Sequence, residues 1–274
     1  MHPRHRLYVI TFAVIAIAVV ALFLATGVLR QGRGAALAAY DGLPVPPSLL
    51  AQMQVQDSVA NSVGIGAASY QHTLKSVSGA EQLNASGKPE ILYMGAEYCP
   101  FCAAQRWAMV IALSRFGTFG GLKYMTSSAT DYSPSTPTFT FYNSTYTSSY
   151  VTFVSVEMQS NIPANGTYPL LQRPTAQQQS LMGTFDPSGS IPFMDFANQS
   201  VIVGALFDPL AIDSENWTTI ASRLSNPSSL ESQEIIGSAN LMTAQICQAT
   251  GNQPQSVCGQ PYVSQIEALL SRLG

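Results

Sequence analysis

Residues 95 to 107, GAEYCPFCAAQRW, set two cysteines two residues apart between a short apolar run and a stretch with helical periodicity. The run before them, EILYMG from Glu90 to Gly95, has four consecutive apolar residues bounded by Pro89 and Gly95, the pattern of a short strand covered on both faces. After them, Pro100 to Phe116 holds no internal Gly and only its opening Pro. Ala103, Trp107, Val110, Ile111 and Ser114 fall toward one side at helical spacing, and Gly117 supplies a stop. A strand therefore feeds a helix, with the cysteines at the junction. Trp107 reads as core and Arg106 as a solvated face.

That placement gives Cys99 a physical reason to react. The unpaired amides and the positive end of a helix favour thiolate, which is the attacking species in disulfide exchange. Pro100 lacks only an amide hydrogen that the first turn leaves unpaired anyway. Cys99 is expected at the exposed tip as the attacking thiol, and Cys102, one turn deeper, as the resolving one. Two other readings compete. Half of a zinc site would have to draw on His72, Cys247 and Cys258, because His2 and His5 precede a long apolar segment; no metal and no cofactor is expected. An inert bridge is disfavoured because cysteines three apart close too small a loop to stabilise much.

Farther along, LKYMTSS (Leu122 to Ser128) reads as a strand, and TFTFYN with YVTFVSVEM as a Ser/Thr-rich pair across a polar turn. A helix is expected over 174–183. SIPFMDFANQSVIVGALF reads as a β-hairpin turning at Ala197-Asn198-Gln199. Residues 213–224 read as a helix capped by Asp213 or Ser214, with Trp217, Ile220 and Leu224 on one stripe. The remainder to Leu273 reads as helical. There Cys247 and Cys258 flank a polar loop and read as a structural disulfide tying a helical hairpin. The sharper alternative is a second redox pair exchanging electrons with Cys99 and Cys102.

Residues 7–29 contain no charged side chain over 23 positions, against the roughly 20 that a spanning helix needs. The run exceeds the roughly 7 to 15 apolar residues of a secretory signal, so an uncleaved anchor is favoured over cleavage at Ala36 to Ala38. The expected order is a short cytoplasmic tail (1–6), the anchor (7–29), a Gly/Ala/Pro-rich linker (30–62), a globular domain (63–225) and a helical extension (226–274). Arg4 and Arg6 are nearly balanced by Arg30 and Arg33, so charge alone does not orient the anchor. Five glycosylation sequons, at Asn84, Asn143, Asn165, Asn198 and Asn216, and four cysteines beyond the anchor favour an extracytoplasmic domain on a single-pass cell-membrane protein. Only 10% of residues are charged and the net charge is −3, with no basic cluster, which excludes a nucleic-acid partner.

The strand, Cys-x-x-Cys, helix and later SIPFMDFANQSVIVGAL resemble the thioredoxin-like superfamily, in which a cis-proline before a β-hairpin lies against the active-site cysteines. The resemblance covers about residues 63–225 and implies an α/β fold. It places Pro192 at the cis-proline, with Ile191 offering backbone hydrogen bonds to a bound substrate strand and Pro100 and Phe101 beside it. The 93 residues between Cys99 and Pro192 imply a β-rich insertion, closer to the disulfide-bond (Dsb) type of arrangement. GAEYCPFCAAQRW also resembles a family of membrane-anchored archaeal and bacterial proteins known only as a domain of unknown function, and the thioredoxin domains fused to vitamin K epoxide reductase homologues. Where thioredoxins carry a buried acid six residues before the first cysteine, this chain has Tyr93; Glu97 is the substitute carboxylate for proton transfer.

The expected activity is thiol-disulfide exchange on exported proteins, with an unidentified redox partner. The alternative is a surface module without enzymatic activity, using the same scaffold for partner binding or envelope assembly.

Overall fold

The computed structural model describes residues 3–213 and 215–272. Met1, His2, Ser214 and residues 273–274, with the parts of the expected tail, helix cap and extension that fall on them, lie outside the described residues. The elements run α1 (Pro3–Ala38), α2 (Pro47–Gln52), α3 (Asp57–Val63), β1 (Leu74–Ser76), β2 (Asn84–Ala85), β3 (Lys88–Gly95), α4 (Pro100–Ser114), β4 (Gly117–Gly120), β5 (Lys123–Thr126), β6 (Pro137–Thr140), β7 (Thr145–Ser148), β8 (Thr152–Glu157), α5 (Ala176–Phe185), β9 (Phe193–Phe196), β10 (Ser200–Val203), α6 (Trp217–Arg223), α7 (Gly237–Ala249), α8 (Gln255–Cys258) and α9 (Pro261–Leu270). The result is a mixed α/β structure.

β3 is the hub of the main sheet. It pairs in parallel with β8, Glu90 opposite Thr152 through Gly95 opposite Glu157, and antiparallel with β9, which turns back into β10 and then β1. Its unbroken apolar run has a simple cause: side chains alternate between two faces, and both faces are covered. Ile91 and Tyr93 enter the large core built with α4, α7 and α9, while Leu92 and Met94 enter a smaller one with Val156, Met182 of α5 and Phe193.

α4 is the central helix, and from Cys102 to Leu113 none of its residues is left exposed. α7 packs along it, and Arg115 at its end donates to Thr243 Oγ1 (2.6 Å) and Asn240 Oδ1 (2.9 Å) of α7. Arg106 is not a solvated face; it is wholly buried, because its guanidinium turns under the sheet and meets Glu157 of β8 and the Ala96 carbonyl.

The stretch expected as an insertion is one long nested hairpin. β4 pairs with β7 and β5 with β6, so TFTF folds back on LKYMT and not on YVTFVSVEM, which joins β3 in the main sheet. Its tip loop, residues 127–136, is closed by Thr136 N donating to Ser127 Oγ (2.9 Å) and by the Ser133 and Thr136 hydroxyls at 2.8 Å. The helix expected from Asp213 starts at Trp217 and is capped by Asn216, whose Oδ1 accepts from Thr219 N at 2.9 Å. Cys247 and Cys258 form a disulfide between α7 and α8.

α1 is long and apolar enough to cross a membrane, and none of its apolar window is buried. The stretch expected as a linker is folded: α1 continues to Ala38, and Leu37, Val45, Leu49, Met53 and Ala60 join the large core. Interspersed Pro and Gly hid these apolar positions from a composition reading.

Candidate active site

Cys99 is the N-cap of α4, and Pro100 opens the first turn. The Cys99 sulfur accepts the Cys102 backbone N–H at 3.1 Å, and the thiol donates to the Ile191 carbonyl at 3.9 Å. Hydrogen bonding from Cys102, side chain and backbone, holds the Cys99 thiol below the usual cysteine range against the opposing push of burial, and the Arg106 charge adds to the lowering. Burial pushes the Cys102 thiol well up. The thiolate form is thus favoured at Cys99 and disfavoured at Cys102. Both are unbridged, and Cys99 is less open than expected at 5% exposure.

The hairpin of β9 and β10 closes the site from the far side. The Ile191–Pro192 peptide bond is cis, and the Pro192 carbonyl accepts from Gly204 N at 2.7 Å. Gln105, buried on α4, fixes this hairpin against the helix: its Oε1 accepts from Leu206 N (2.9 Å) and its Nε2 lies 3.2 Å from Met194 Sδ. Cys99, Cys102, Pro100, Phe101, Ile191 and Pro192 are all brought together. Cys247 and Cys258 are bound to each other among the helices packed behind α4.

Beneath the cysteines lies a buried ion pair that sequence reasoning missed. Arg106 Nε and Nη2 reach Glu157 Oε1 and Oε2 at 2.8 and 2.7 Å, and Nη2 also donates to the Ala96 carbonyl at 2.8 Å. Burial opposes the Arg106 charge, and the Glu157 carboxylate more than offsets it. The guanidinium carbon stands 5.8 Å from the centre of the Tyr93 ring. Arg106 Nη1 and the Tyr93 hydroxyl have no hydrogen-bond partner among the described residues. Gly95 makes room for Tyr93, since a Cβ there would sit 2.1 Å from the phenol oxygen.

Glu97 is buried, not a solvent-facing loop charge; its Oε1 accepts from Thr140 Oγ1 at 2.5 Å, and burial is the main cause that raises its carboxyl above the usual range. The rim of the site is aromatic. Phe101, 39% exposed, stacks on Tyr132 with ring centres 5.7 Å apart, and Tyr98 stacks on Tyr168 at 4.3 Å. Tyr132 belongs to the insertion tip loop, which Ser128 N ties to the Tyr98 carbonyl at 2.8 Å. No local pattern marked Tyr132 or Tyr168, because their partners lie far off in the chain.

No curated protein and no solved structure matches this chain. A family model described as a domain of unknown function (DUF929) matches residues 75–168, a span from β1 past β8 that holds both unbridged cysteines, Arg106, Glu157 and the insertion but stops short of the Pro192 hairpin.

Proposed function

We propose that the protein is a membrane-anchored thiol-disulfide oxidoreductase with a thioredoxin-like fold, acting outside the cytoplasm on cysteines of exported proteins. The observation that carries this reading is the Cys99 sulfur at the tip of α4, bonded by the Cys102 amide and facing the Ile191 carbonyl. The fold assignment is supported by β3 lying between parallel β8 and antiparallel β9, with α4 following β3 and the cis-proline entering β9. The sequons and the Cys247–Cys258 bridge support an oxidising compartment.

In the reductive direction the Cys99 thiolate attacks one sulfur of a substrate disulfide, and the other sulfur leaves as thiolate and takes a proton. Cys102 then loses its proton and attacks the Cys99 sulfur, which releases the second substrate thiol and leaves a Cys99–Cys102 disulfide. The same steps in reverse oxidise a substrate dithiol. A partner dithiol or disulfide resets the pair. Glu97, with its raised carboxyl, is the candidate to take the Cys102 proton.

The test is insulin reduction and oxidative refolding of a reduced substrate by the full chain and by Cys99→Ser. Activity in one assay that vanishes in the variant is expected. Wild-type protein inactive in both assays would overturn the proposal.

A further inference from the structure

α1 does not end where its apolar run ends. The described side chains between 12 and 29 are exposed, Ile17, Leu22, Val28 and Leu29 each by 65% or more, whereas Leu37 is buried in the domain core. At about 1.5 Å per residue, Gly34 stands about 8 Å beyond Leu29, about one headgroup layer of roughly 5 to 8 Å, and Leu37 about 12 Å, just outside it. At Gly34 the helix lies directly against the insertion tip loop, since a Cβ there would come within 2.8 Å of Ser135 Oγ. Asp41, just past the helix, accepts from Thr126 Oγ1 (2.9 Å) and Asn161 Nδ2 (2.7 Å), which ties both flanking loops to the same point. No slack separates the anchor from the domain.

Between α1 and those loops is a cavity of about 830 Å³, with Gly27, Ala129, Pro134 and Ile162 among its apolar walls and Arg33, Asp41 and Asp213 as its charged lining. Gly27 belongs to the uncharged run, so this wall begins at the level of the hydrocarbon boundary. Ile162 beside it is 68% exposed, an odd place for a large aliphatic side chain in water and a fitting one at a bilayer surface.

We propose that this cavity opens onto the bilayer and holds a phospholipid of the leaflet next to the domain, with Ile162 and the 127–135 loop resting in the headgroup layer. The proposal rests on reading α1 as a membrane anchor and is independent of the redox chemistry. It brings the mouth of the Cys99 site, whose rim includes Tyr132 of that same loop, down to the membrane surface.

The experiment uses the full chain in palmitoyl-oleoyl phosphatidylcholine vesicles, with Cys99→Ser and Cys102→Ser removing the free thiols and a nitroxide attached at Ile162→Cys, Val20→Cys or Asn84→Cys. Power saturation with oxygen and with a water-soluble nickel chelate is expected to show position 162 less open to nickel than position 84 and more open than position 20, the order of water, headgroup layer and hydrocarbon. An aqueous signal at 162 with a lipid signal at 20 overturns the proposal and leaves the anchor standing; an aqueous signal at 20 overturns both. The unlabelled wild-type chain in the same vesicles, doped with a diazirine phosphatidylcholine, gives a second reading. Adducts on 127–135 or 161–163 are expected, and adducts confined to 7–29 overturn the proposal.

Discussion

Replacing Arg106 by Met tests whether the buried ion pair supports both the fold and the Cys99 thiolate. The guanidinium makes three short bonds, two to Glu157 and one to Ala96, and both charged side chains are fully buried. Removing one partner leaves the Glu157 carboxylate uncompensated in a dry interior, which costs about 3 to 5 kcal/mol. Against a typical stability of about 5 to 15 kcal/mol that is a third or more of the total. Glu157→Gln in the same chain removes the stranded charge yet keeps an acceptor for the Phe141 backbone N–H, bonded to Glu157 at 3.3 Å, so the double variant regains most of the loss. Urea unfolding of the full chain in detergent, followed through Trp107 and Trp217, reads the stability. The pH profile of Cys99 alkylation reads the chemistry, and its midpoint moves up in both variants because the lowering charge is gone. A cost under about 1 kcal/mol for Arg106→Met, or a double variant no better than the single one, would refute the structural argument. An unmoved alkylation midpoint would refute the electrostatic one.

Asp195 on β9 is wholly buried; burial is the main cause that raises its carboxyl from 3.8 to about 6. The native state therefore binds this proton more tightly than the unfolded chain, so the contribution is fully present below about pH 4 and is lost as pH rises through about 6. Asp195→Asn keeps an acceptor for Asn198 N and is expected to be more stable than wild type at pH 8 by about 1 to 3 kcal/mol, a gap that closes toward pH 4. A variant less stable than wild type at pH 8 would contradict this. The Cys247–Cys258 bridge, spanning 11 residues, restricts the unfolded chain by about 3 kcal/mol, so replacing both with Ala lowers stability by about that amount in urea melts. A change below about 1 kcal/mol would mean that packing of α7 and α8, not the bridge, holds that end.

The elements around Cys99 were legible because each carries its own local cause. Four apolar residues before Gly95 made a strand covered on both faces, Pro100 marked a helix start, and Ala197-Asn198-Gln199 marked the turn between β9 and β10. What stayed hidden depends on partners distant in sequence. Arg106 becomes buried only when β8 pairs with β3 and brings Glu157, 51 residues on, against it. Alanines at 103, 104, 108 and 112 fit a helix packed all round as well as one packed on a stripe, so the pattern around Trp107 carried no warning. The pairing of β6 differs from the expected one for a related reason: β8, the strand expected beside it, belongs to the main sheet, and its partner β5 lies across a ten-residue tip loop held by hydroxyls that no periodicity announces.

Because α4 is sheathed by protein from its second turn to its end, it cannot answer a change at its tip by tilting or sliding. Of the described residues of α4 near the sulfurs, Phe101 is the exposed one, so a change at that tip meets a partner through Phe101 and the tyrosine stacked on it. If the proposed function holds, a protein that tells the bridged from the unbridged pair does so by touch at that patch.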